Sequence, residues 1–139
     1  MNRNIDDLDW EILKLLKTDS RRSNVSIASE LGISEGSVRQ RISKLKKKGT
    51  ITRFTIDTSS RGLKALLEIN IEINVHTSEI AERIKTLEGV EKVYEISGAS
   101  DIVAIIDVSN TNELNDTIEA VRGMGHIMNT RTKLVLSEI

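Results

Sequence analysis

Apolar side chains recur at helical spacing over the first fifty residues, and beyond them runs of strict alternation take turns with further helical stretches. Asp6 is placed to cap a first helix over Asp7–Thr18, with Asp9 in its first turn favouring the helix dipole. Leu8, Ile12, Leu15 and Leu16 form its core stripe. Trp10 and Leu13 lie on roughly the other side, about 60° apart by helical spacing. A second apolar face on a short helix calls for a second partner, so these two are read as a subunit contact; the plainer alternative is an exposed Trp without a role. After a polar turn, Asp19–Asn24, Ser23 caps a short helix carrying Val25, Ala28 and Leu31, and Gly32 ends it. Ser34 caps a third helix running to Lys48, with Val38, Ile42 and Leu45 on one narrow stripe. Short helix, tight Gly turn and longer basic helix have the spacing of a helix-turn-helix. Gly49 can close the third helix in the left-handed conformation. Ile51–Ile56 then alternates like a strand, either the wing of a winged variant or a lead into the next module.

The polar, turn-forming run from Asp57 to Gly62 marks a boundary. The chain is accordingly divided into a helix-turn-helix domain with its following strand over 1–57, a hinge over 58–64 and a second domain over 65–139. In that second domain Leu67, Ile69, Ile71, Ile73 and Val75 alternate with polar residues, the clearest strand signal in the protein. Ser78 caps a helix with Ile80, Ile84 and Leu87. Val90–Ile96 reads as a strand, Ser97–Ser100 as a turn, and Asp101–Val108 as a more uniformly apolar, central strand. Asn110 or Thr111 opens a helix with Leu114, Ile118 and Val121, and Ile127–Leu136 is the last strand. The order β-α-β-β-α-β predicts a ferredoxin-like antiparallel sheet with both helices on one face. The fold class is therefore α+β, a winged helix-turn-helix followed by a ferredoxin-like domain.

Charge sharpens this division. The net charge of −1 over 139 residues conceals 12 Lys/Arg against 8 Asp/Glu in residues 1–60, and 8 against 13 in residues 61–139. Chance could produce such a split, but the basic half concentrates its charge on one helix. The pattern points to a basic module that meets a polyanion and an acidic module with another task. The chain has no Cys, which removes disulfides, thiolate catalysis and Cys-rich zinc sites. His76 and His126 stand too far apart in sequence to suggest a metal site, and each reads as a strand-end or loop residue. No metal and no cofactor are expected. No apolar run is long enough to span a bilayer and no signal-peptide core is evident, so no membrane association and a cytoplasmic location are expected.

The third helix carries the chemistry. Arg39, Arg41, Lys44, Lys46, Lys47 and Lys48 place six cations within ten residues, without an acid among them. They stand beside the short polar side chains of Ser37, Gln40 and Ser43. Cations suit phosphates, and short hydrogen-bonding groups suit base edges in a major groove. Ser37, Gln40, Ser43 and Arg39 are assigned to bases, and Arg41, Lys44, Lys46, Lys47 and Lys48 mainly to phosphates. Gly36 inside the helix costs about 1 kcal/mol relative to Ala; either DNA approaches it closely or the first turn simply tolerates it.

Several stretches carry a family resemblance covering nearly the whole chain. Leu8–Leu16, Arg22-Ser23, Glu30–Ser34, Val38–Leu45 and Gly49–Ile51 resemble the N-terminal domain of Lrp/AsnC-type regulators, also called feast/famine regulators. The β-α-β-β-α-β half resembles their effector-binding domain, with Ser97-Gly98-Ala99-Ser100-Asp101 at the place of that family's Gly-x-aromatic-Asp turn. Ser100 stands where an aromatic residue is usual.

The resemblance implies a transcription regulator that binds double-stranded DNA as a homodimer, often in higher assemblies of dimers, with an amino acid bound between dimers. Carried over, Gly98, Ala99 and Ser100 would offer backbone groups to the amino acid and Asp101 would accept from its ammonium. Thr130 and Thr132 of a neighbour's last strand would line the other side. Two other classes remain: an architectural DNA-binding protein without an effector, and an enzyme like the tetrapyrrole decarboxylases that share this domain pair. The latter needs a basic, His-containing cleft, whereas the second half is acidic with scattered histidines.

Overall fold

Helix α1 (Asp7–Thr18) starts where two carboxylates satisfy its first free amides. The Asp6 side chain accepts from the Asp9 N–H at 2.8 Å, and the Asp9 side chain accepts in return from the Asp6 N–H. The computed structural model describes residues 5–139; residues 1–4, counted above in the first domain, lie outside the described residues. The chain forms two compact units divided between Thr58 and Ser59.

In the first unit α1 is followed by α2 (Asn24–Leu31) and α3 (Glu35–Lys47). Ser23 and Ser34 cap α2 and α3 through their hydroxyls, each accepting the N–H three residues on at 3.1 Å. Between the helices Gly32 takes φ 66°, a left-handed conformation that a side chain would strain, and so permits the tight turn. The core gathers Ile12, Leu16, Ile27, Ala28 and Val38, with Leu15, Leu31, Ile33, Ile42 and Ile51 packed around them. Ile27, expected on no stripe, is fully buried, and Val25, assigned to the core, is 66% exposed. Over a helix of eight residues the repeats are too few for spacing alone to fix the buried face.

Ile51–Ile56, expected to be a strand, joins no ladder among the described residues, so the unit carries three helices and no wing. Alternation specifies the faces of a strand but cannot supply the neighbour that its amides need. Phe54 and Ile56 on this arm are exposed.

The second unit runs β1 (Leu63–Ile71), α4 (Thr77–Lys85), β2 (Val90–Glu95), β3 (Ile102–Val108), α5 (Thr111–Arg122) and β4 (Ile127–Leu134). All pairings are antiparallel and the strand order is β2-β3-β1-β4. This is the ferredoxin-like arrangement read from the sequence. Leu67 and Ile69 of β1 face Ala104 and Ile102 of β3, and these fully buried side chains form the core with Ile80 and Ile84 of α4 and Leu114, Ile118 and Val121 of α5. Burying one such Leu or Ile contributes about 1.5–3 kcal/mol.

Three boundaries move. Leu63 and Lys64, placed in the hinge, already pair with Val108 and Asp107. The alternation through Val75 outlasts the strand, because Glu72–Val75 turns away and leaves Ile73 96% exposed. His76, not Ser78, stands at the cap position of α4, and its side chain makes no capping bond.

Candidate nucleic-acid interface and effector turn

Helix α3 is amphipathic in the strict sense that its two faces have different tasks. Val38 and Leu45 are buried and Ile42 is half-buried, anchoring the helix on α1 and α2. Arg39, Gln40, Ser43, Lys44, Lys46 and Lys47 are exposed on the remaining surface, while Ser37 is half-buried in the first turn. The side chains of Gln40, Ser43, Lys44, Lys46 and Lys47 make no hydrogen bond or salt bridge with any described residue, and Lys44 attracts the Asp6 carboxylate only at longer range. Their polar groups remain available to a ligand. Arg39 donates to Glu35 at 2.6 Å yet keeps its side chain 71% exposed. Gly36 lies on the same open side, where an added Cβ would meet nothing within 4 Å.

Arg41, assigned to phosphate from the sequence, occupies a different place. Its Nη1 donates to both Asp6 oxygens at 2.8 and 2.7 Å and to Asp9 Oδ1 at 2.8 Å. Asp9 is 3% exposed. The guanidinium thus ties α3 to the capped start of α1. Hydrogen bonding to Arg41, and then to the Asp9 amide, holds the Asp6 carboxyl below the ordinary Asp range, and the same two carboxylates raise the Arg41 pKa. Helical spacing could not separate Arg41 from its basic neighbours, because its partners lie 35 and 32 residues earlier.

Two further acids of this unit also pair with arginine. Glu30 pairs with Arg22 and Glu35 with Arg39. Lys44, Lys46 and Lys47 are thereby left without a salt bridge to any described residue, the arrangement a phosphate backbone requires.

In the second unit the link from β2 to β3 is pinned from several sides. The Ile96 N–H donates to the Asp101 carbonyl at 2.9 Å, the Asp101 N–H donates to the Ile69 carbonyl at 3.0 Å, and Asn70 Nδ2 donates to the Ala99 carbonyl at 2.7 Å. Gly98 bends the chain at φ 115°, in the region closed to most side chains. The amides of Gly98, Ala99 and Ser100 bond to no described residue. Consecutive free N–H groups in a fixed turn can receive a carboxylate. Ser100 is buried. Asp101 Oδ2 accepts the Ile71 N–H at 2.9 Å, and Oδ1 has no partner among the described residues, so half of the carboxylate remains for an ammonium.

Thr130 and Thr132 pair with Ile69 and Leu67, placing both threonines on the helix-bearing side of the sheet. Strand β1 separates β4 from β3. At the usual strand spacing the threonines therefore lie two strands, about 10 Å, from the turn across the sheet. One chain does not bring the two sets of residues together.

Thr130 has a neighbour that the sequence did not flag. Arg122, the last residue of α5, donates through Nε to Thr130 Oγ1 at 3.0 Å. A basic residue there reads from sequence as an ordinary complement to the helix dipole. Among the described residues no group of three or more His, Asp or Glu side chains could hold a metal ion, and no helix is long and apolar enough to cross a membrane.

The two units thus define a helix-turn-helix DNA-binding module joined to a small antiparallel α+β domain. Residues 5–46 match the AsnC-type helix-turn-helix domain and residues 64–139 the Lrp/AsnC ligand binding domain. The chain belongs to the Lrp/AsnC family of transcriptional regulators. It is 38% identical over 133 residues to the HTH-type transcriptional regulator LysM of Sulfurisphaera tokodaii, covering 95% of each chain. It is 36% identical to LysM of Saccharolobus solfataricus, covering 97% of this chain and 96% of the relative. Among solved structures, AsnC of E. coli superposes with a TM-score of 0.79 at 24% identity, covering 96% of this chain and 93% of that one. The transcriptional regulator NMB0573 of Neisseria meningitidis in complex with L-Met gives 0.84 at 19% identity, covering 96% and 91%. These two likenesses concern the fold.

Proposed function

We propose that this protein is a sequence-specific, cytoplasmic DNA-binding regulator, acting as a homodimer or an assembly of dimers, whose DNA binding responds to an amino acid held between dimers. The observation that carries the DNA part is the open face of α3. The side chains of Lys44, Lys46 and Lys47 make no salt bridge, and those of Gln40 and Ser43 no hydrogen bond, with any described residue, while the opposite side is locked into the core. In a two-fold dimer two such helices enter successive major grooves about one helical turn, or a multiple, apart. Ser37, Gln40, Ser43 and Arg39 then meet base edges and Lys44, Lys46 and Lys47 meet phosphates, while Arg41 orients the helix.

A second copy is supported by the sheet face that carries no helix. Leu66, Ile105 and Val103 form a half-buried apolar strip there, with Glu68, Lys133 and Arg131 as a charged rim. Such a face is the kind a homologous partner covers. The effector is supported by the free amides of Gly98, Ala99 and Ser100 beside Asp101. The separation of this turn from Thr130 and Thr132 supports a pocket completed by another copy. That the Neisseria meningitidis relative was crystallised with L-Met favours an amino acid. A regulator rather than an enzyme is supported by the relatives, which are transcriptional regulators.

Selection of bound duplexes from a random pool tests the reading. The wild type is expected to return a roughly palindromic site. Gln40→Ala is expected to lose about 1–3 kcal/mol on that site and to relax one base position in each half. An unchanged preference at every position would remove Gln40 from base recognition. Repeating the selection with each amino acid present tests the effector: enrichment that shifts with one amino acid supports it, and identical pools with all of them point to an architectural protein.

A further inference from the structure

Arg122 and Thr130 form a donor pair whose geometry is explained by neither the core nor the helix cap. Arg122 Nε donates to Thr130 Oγ1 at 3.0 Å and Nη1 donates to Glu119 at 2.8 Å. Nη2 has no partner among the described residues. Because the Thr130 oxygen accepts from Nε, its own hydroxyl proton must point elsewhere. Two donors, one of them cationic, are thus available side by side. They border a surface depression of about 220 Å³, which Ile127, Met128 and Asn129 complete. Glu119 engages only Nη1, and both it and Arg122 are more than half exposed, so the ion pair is weak enough to admit a competitor.

A guanidinium edge beside a hydroxyl is complementary to a carboxylate, which accepts two parallel bonds and neutralises the charge. We infer that Arg122 and Thr130 hold a carboxylate on the side chain of the effector, so that the ligand class is an acidic amino acid. This rests on the effector reading above. There the turn amides of one copy take the α-carboxylate and Asp101 takes the ammonium, which leaves the side chain to meet β4 of the neighbouring copy. A cationic side chain placed there meets Arg122 and is repelled. A purely aliphatic one leaves the freed donors without partners, which costs affinity.

Calorimetry on the full chain, with aspartate, asparagine, glutamate, glutamine, leucine, methionine and lysine as titrants, separates the possibilities. Aspartate or glutamate is expected to bind at least about tenfold more tightly than its own amide, and lysine most weakly. In Arg122→Gln the ratio of acid to amide affinity is expected to fall to near one, and in Thr130→Val to fall by a smaller factor. Both substitutions alter exposed or half-exposed side chains, and an unchanged melting temperature confirms that the fold is kept. Amino acids that bind without preference for the acid, or an acid preference that survives Arg122→Gln, would overturn the assignment while leaving the effector site in place. No binding of any amino acid to the wild type would overturn the effector reading and this inference with it.

Discussion

Replacing Lys44 and Lys47 together by alanine is expected to weaken DNA binding roughly a hundred- to a thousandfold near 0.1 M salt, with little dependence on sequence. Each phosphate contact contributes about 0.9 to the slope of log affinity against log salt. Two lysines in each half of a dimer should therefore flatten that slope by about three to four. Both side chains are exposed and make no hydrogen bond or salt bridge with any described residue, so the melting temperature should hardly move. Binding measured by anisotropy at four or five salt concentrations gives both quantities. A slope equal to that of the wild type would remove these lysines from the phosphate contacts.

Arg41→Met should have the opposite signature: a clear loss of stability and weaker DNA binding at an unchanged salt slope. The substitution leaves Asp9, which is almost fully buried, without the guanidinium that compensates it, and breaking such a pair is costly because one charge stays behind. Arg41 still reaches water, with 28% of its side chain exposed, so the cost lies below that of a sealed pair. A fall of about 5 °C in the melting temperature is expected. Weaker binding then follows from a loosened α3 rather than from a lost phosphate contact.

The pH dependence has a definite sign. Arg41 and the Asp9 amide hold the Asp6 carboxyl below its unfolded value. This contribution is fully present above the ordinary Asp range and is lost as pH falls through the lowered value. The stability gap between wild type and Arg41→Met should accordingly narrow as pH falls below the ordinary Asp range. A gap that stays constant into strong acid would remove the carboxylate pairing as its source, and a reduced salt slope would return Arg41 to the set of phosphate contacts.

Local signals were legible in the sequence because their causes are local. Ser23 and Ser34 cap their helices as their positions predict, and Gly32 takes the left-handed turn between them. The apolar strand Ile102–Val108 is an inner strand, as its lack of alternation implies. What escaped depends on residues far away in the chain. Nothing near Arg41 distinguishes it from Lys44; its role comes from Asp6 and Asp9. Nothing near Arg122 marks it as a neighbour of Thr130 on another element. Ile73 continues a strand pattern past the point where β1 loses its partners, and Ile51–Ile56 has the pattern without a partner at all. Periodicity reports which side a residue faces, and only the assembled sheet and helices decide what stands there.

The central claim is that the outward face of α3 lies in the major groove. The chain contains no Cys, so Ser43→Cys offers a single attachment point for an iron-chelate cleavage reagent on that face, and Glu82→Cys, at an exposed position of α4 in the second unit, serves as the control. On a selected duplex the Ser43 adduct is expected to cut at two clusters about one helical turn, 10–10.5 base pairs, or a multiple apart, while the Glu82 adduct cuts weakly or not at all. Cutting from Glu82 as strong as from Ser43, or none from Ser43 on a duplex that remains bound, would contradict the claim.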